Sequence, residues 1–160
     1  MCPSEPTISF VELFAYTDYL ANRWFGYFTE HGAALEINVG GKTGTLRNLV
    51  KHIVQVEEFF ASRLLEQRPA EDEPESAGLA HLLQMHNDAN RKFEAFLRAS
   101  GDEKLHSTQM LGTRKVSNRK ILAQAALHSV HHWAQVAMEV RQAGFPAGKP
   151  QDFIVTDVME

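Results

Sequence analysis

Apolar positions recur in steps of three and four along four stretches of the chain, and that spacing predicts helices. The first opens on "SFVE", Ser9 to Glu12, a capping-box pattern. Its stripe runs through Phe10, Leu13, Phe14, Thr17, Leu20, Ala21, Trp24 and Phe28, and His31-Gly32 is expected to end it with a left-handed glycine. The glycines of "INVGGKTGT" predict a loop, after which Thr45 can cap a second helix with the stripe Leu46, Leu49, Ile53, Val56, Phe60. Pro69, Pro74 and a run of acids make residues 67–78 a solvated linker. A third helix is expected from near Ser76 to Ser100-Gly101, on Leu79, Leu83, His86, Asn90, Phe93 and Leu97. The stretch "DEKLHSTQMLGTRKV" has no clear period. Ser117 then caps a fourth helix on Leu122, Ala126, Ser129, Trp133, Val136 and Val140, closed by Gly144 and Pro146. The expected fold class is all-α, a four-helix bundle with long 2–3 and 3–4 connections, and residues 1–160 are expected to form one domain.

Composition narrows the function classes. The chain is 44% hydrophobic and 22% charged, with a net charge of −4, and its basic residues are dispersed. No nucleic acid partner is expected. No apolar run approaches the ~20 residues of a spanning helix, so no membrane partner is expected either. One cysteine, Cys2, fits a reducing compartment, and a cytoplasmic location is expected.

Chemistry concentrates in "ALHSVHHWAQ", residues 126–135. A helix turns about 100° per residue, which puts His132 about 60° and His128 about 100° to one flank of Ser129, and His131 about 160° away. His128 and His132 are therefore stacked one turn apart, the spacing at which two imidazoles can share a metal ion. The same spacing arises by chance in a histidine-rich chain, so ordinary surface histidines are the competing reading. His131 reads as a surface residue in either case. His52 lies about 100° from Ile53 on the second helix, also at a core edge, and can meet the pair across a helix seam. Three neutral imidazoles leave a coordination position open, as in a reactive site rather than a structural one. His86 reads first as a hydrogen-bonded core histidine, with a place near the site as the second reading. Glu57 falls about 40° from the second stripe's centre and needs a partner, whether as a polar-network member, an orienter of a ligand or a proton acceptor. Gln135 and Glu139 continue the face of His128 and His132. None of the four helices carries the Glu-x-x-His pair of a di-iron bundle, and HExxH is absent.

"LRNLVKHIVQVEEFF" and "LAQAALHSVHHWAQVAMEVRQAGFPAGKPQDFIV" resemble the second and last helices of DinB-like proteins, with "LANRWF" a weaker echo of their first. The resemblance rests on the order and spacing of three histidines on two helices. It implies a bundle, usually a homodimer, holding one divalent metal, zinc or nickel, through His52, His128 and His132. Phe25, Tyr27, Phe59 and Phe96 are more aromatics than one small core is expected to hold, which supports the dimer. The resemblance also places the chain near bacterial low-molecular-weight thiol transferases and a thiol-dependent maleylpyruvate isomerase. A metal-dependent enzyme acting on a small-molecule substrate or thiol is therefore expected, with Glu57 beside the ligands in a catalytic role. A metal-hydroxide hydrolase and a non-catalytic metal-binding stress protein are the alternatives. One position departs from the family pattern: where it often has His-Arg-Gly-Gln, this chain reads His132-Trp133-Ala134-Gln135.

Overall fold

The capping box that begins the chain's first helix is made in full. Ser9 accepts from the Glu12 amide, and the Glu12 carboxylate returns to the Ser9 amide. The computed structural model describes residues 8–71, 77–146, 152, 154 and 156–158, so the expected start near Ser76 lies outside the described residues. Helix α1 spans Phe10–Glu30 and buries Phe14, Thr17, Leu20, Ala21, Trp24, Phe25 and Phe28. Its end differs from the expected glycine stop. His31 is the C-cap, and Gly32 opens a 3-10 turn, Gly32–Glu36. The predicted glycine loop is partly ordered as a small hairpin, β1 Asn38–Gly40 with β2 Gly44–Thr45, whose Gly40, Gly41 and Gly44 all have positive φ.

Thr45 caps α2, Leu46–Leu64, by accepting from the Asn48 amide. The next helix, α3, is Leu79–Ala99. The aperiodic stretch contains a short helix, α4 Asp102–His106, and a hairpin, β3 Thr108–Leu111 with β4 Arg114–Ser117, turned at Gly112-Thr113. Glu103 and His106 do form a Glu-x-x-His pair there, but both are exposed on α4, outside the bundle. Ser117 caps the longest helix, α5 Asn118–Gln142, and Gly144 follows it at φ 78.

The four long helices pack in a ring, α1 on α3, α3 on α2, α2 on α5 and α5 on α1. Among the described residues, two apolar clusters occupy its interior. One gathers Trp24, Phe28, Ile53, Leu82, Trp133 and Val140. The other gathers Phe14, Leu64, Phe93, Phe96, Ile121 and Leu122. On α1 and α5 the second cluster comes first in sequence, and on α2 and α3 it comes last. Hence α1 and α5 run one way and α2 and α3 the other, which is why α2 and α3 need a long return between them. Between the clusters each helix contributes buried polar groups: Thr17, Glu57, His86 and Ser129. Among the described residues, no helix is long and apolar enough to cross a membrane.

Candidate metal centre

Helix α5 carries His128 and His132 on one flank, and α2, packed beside it, carries His52. Ligand nitrogens of the three imidazoles lie within 4.8 Å of one another, the separation a shared ion requires. Nε2 of His128 is 3.1 Å from Nε2 of His52. Ring centroids are 4.4 to 5.1 Å apart, and the planes are inclined at 63° to 89°, so the rings present edges to a common point. Two nitrogens bound at ~2.1 Å to a tetrahedral or octahedral ion sit roughly 3.0–3.4 Å apart, which the His52–His128 pair matches. Two imidazole nitrogens at that distance need a proton or a cation between them. The Nδ1 of His128 is buried and has no hydrogen-bond partner among the described residues, so what anchors this ring acts at its Nε2 side. His132 is held differently: its Nδ1–H donates to Gln135 Oε1 at 3.0 Å, which leaves Nε2 as the nitrogen with a free lone pair.

The electrostatics favour the neutral form of His128 and of His52. Burial, then the neighbouring His132, His52 and His131, push the pKa of His128 down to about 4. His52 is lowered by burial and by His132. His52 is exposed and the other two are half-buried, so the cluster opens to solvent. The residues thus fit a divalent cation: three imidazole nitrogens, convergent edges and an accessible side. His131 is exposed, as its helical angle requires.

Glu57 is 3% exposed, and its two oxygens are engaged within the bundle. Ser129 Oγ–H donates to Oε1 at 2.5 Å, and His86 Nδ1–H donates to Oε2 at 2.7 Å. Ser129 follows the candidate ligand His128 in α5, so Glu57 reaches that turn through the serine. His86 is fully buried, and its other nitrogen donates to Asp18 Oδ1 at 3.0 Å. Sequence reasoning placed His86 in the core and missed Asp18, whose signal was a charged residue flanking Thr17 on an otherwise apolar stripe. It also missed Glu58, which is 6% exposed and takes bonds from Lys92 Nζ at 2.6 Å, Ser62 and the Ala70 amide. That half-buried ion pair ties the start of the 2–3 connection to α2 and α3. Trp133 faces the core and is 0% exposed.

The family model described as the DinB family matches residues 9–151. A DinB-like protein from Bacillus cereus ATCC 10987 superposes with a TM-score of 0.71 at 19% identity, covering 88% of this chain and 95% of that one. A DinB-like protein from Bacillus subtilis superposes with a TM-score of 0.59 at 21% identity, covering 89% and 94%. At these identities the likeness is one of fold. No curated protein matches the chain.

Proposed function

The chain belongs to the DinB family, and on that premise we propose that it binds one divalent metal ion, zinc or nickel, through His52, His128 and His132 and acts as a metal-dependent enzyme of the thiol-dependent transferase or isomerase type. The observation that carries this reading is the convergence of three imidazoles from two helices on one point, with one side open to solvent. A divalent ion held by three neutral ligands supplies a Lewis acid that favours the anionic form of a sulfur or oxygen nucleophile. The chain supplies the rest. Gln135 fixes the tautomer of His132. Ser129, tied to Glu57, steadies the α5 turn that carries His128 and gives the carboxylate a route to proton handling there. The exposed side of His52 admits a small substrate or a low-molecular-weight thiol. A homodimer in the cytoplasm completes the proposal.

Calorimetric titration of tag-free protein with zinc and with nickel tests the site. One ion is expected per chain. His52→Ala, His128→Ala and His132→Ala are each expected to lower affinity at least about tenfold, while His131→Ala leaves it unchanged. Gln135→Leu is expected to weaken binding by roughly tenfold, since it frees the ring that Gln135 orients. Equal losses from His131→Ala and His132→Ala would refute the ligand set. A screen of thiols against electrophiles then tests turnover, which His52→Ala should abolish and Glu57→Gln should lower without changing metal content. Full metal binding with no turnover across the screen would move the protein to the non-catalytic reading.

A further inference from the structure

On the side of the bundle opposite the α2–α5 seam, α1 and α3 enclose a groove of about 640 Å³, a volume that suits a small molecule. Its apolar lining is Val11, Phe14, Ala15 and Leu97. Val11 stays 64% exposed, so this surface is wet and unsatisfied. Asp18 stands at the inner wall with its side chain 46% exposed. One of its oxygens, Oδ1, receives three donors: Asn90 Nδ2 at 2.8 Å, Asn22 Nδ2 at 2.9 Å and His86 Nε2 at 3.0 Å. Three bonds to one oxygen fix the carboxylate in place before any ligand arrives.

Charge decides what such a ligand would be. The two rim arginines already have partners: Arg91 with Asp88, and Arg98 with Glu94 at 3.5 Å. Behind Asp18, His86 is shared with Glu57, and one imidazole between two carboxylates can offset only one of them. The uncancelled, preorganised charge at the groove is therefore negative. We propose that the α1–α3 groove binds a small organic ammonium ion, a primary amine with a short apolar body, its N–H groups received by Asp18 and its carbon skeleton lying on Val11, Phe14 and Leu97. This site lies apart from the three imidazoles, because its lining residues all belong to α1 and α3, and Glu57 of α2 bears on it only through His86.

The test uses the full chain and three matched probes: 2-phenylethylammonium, 2-phenylethanol and 3-phenylpropionate. Titrations followed by calorimetry and by amide chemical shifts should show saturable one-to-one binding of the amine, with shifts confined to α1 and α3. Asp18→Asn should weaken it by about tenfold or more, the loss of one charge-assisted contact. Val11→Lys places a cation in the groove from an exposed position that does not bear on folding, and should abolish binding. His52→Ala should leave it intact, which separates this site from the metal centre. The proposal is overturned if the amine shows no saturable binding at millimolar concentration, if Val11→Lys leaves binding unchanged, if His52→Ala abolishes it, or if phenylpropionate or phenylethanol binds as tightly as the amine.

Discussion

His86 shows how a single side chain can link pH to stability. Burial alone would lower its pKa, but Glu57 and Asp18, one on each ring nitrogen, outweigh that and raise it to about 9. The folded protein then holds this proton more tightly than the unfolded chain, where the value is ~6.5. The contribution is complete below ~pH 6.5 and is lost as pH rises through the folded value, on the order of 3 kcal/mol in all. Urea unfolding at pH 6.5 and pH 9.5 should show that fall, and His86→Gln should be less stable at the lower pH and nearly flat across the window. Parallel curves for the two proteins would show that another group titrates. His128 works in the opposite sense. Its pKa is depressed to about 4, so its contribution in metal-free protein is present above ~6.5 and lost as pH falls toward the folded value.

Among the described residues, two helix ends stop in a left-handed residue, and they differ in how legible they are. Gly144 at φ 78 follows α5, and the Phe145 amide closes back on Val140 O at 3.2 Å. A glycine in that place was readable from the sequence. After α2 the same turn is made, with the Gln67 amide on Ser62 O at 2.9 Å, but the residue at φ 58 is Glu66. A glutamate there bears the steric cost of the left-handed region. Glu66→Gly should raise stability by about 0.5–1 kcal/mol, a gain of that size net of glycine's greater freedom when unfolded. An unchanged or lower urea midpoint would show that the Glu66 side chain contributes more than its backbone costs. The α4–β3–β4 segment was illegible for a related reason: α4 buries none of its residues, so it has no stripe to read.

For the whole molecule, the four-residue polar layer is the organising feature. It divides the core into two apolar clusters and draws Thr17, Glu57, His86 and Ser129 from four different helices. Two of the four aromatics expected to favour a dimer are inside the bundle. Phe25 and Phe96 are 3% and 0% exposed, because neighbouring helices cover the flanks of α1 and α3 where a lone stripe would leave them bare. Phe59 at 40% and Leu127 at 66% remain exposed on α2 and α5. The homodimer is expected to form through such surface, so light scattering at micromolar concentration should give twice the chain mass, and Leu127→Glu should shift it toward monomer. A monomer for the unaltered protein at that concentration would refute the dimer.

The four long helices, the caps at Ser9, Thr45 and Ser117, and the directions of single side chains along each helix were all written in local spacing. His128 and His132 fell on one flank, His131 outside, and Trp133 and His86 inside, because a helix fixes angles about its own axis at 3.6 residues per turn. What lies across a seam depended on how the helices pack. His52 meets His128 from 76 residues away, and Asp18 meets His86 from 68. The rotation of one helix against another and the ring order α1–α3–α2–α5 follow from how all four apolar faces pack at once. No local spacing carries that information, so Glu57 and His86 were legible as polar residues on their stripes, while their pairing with each other and with Asp18 and Ser129 was not.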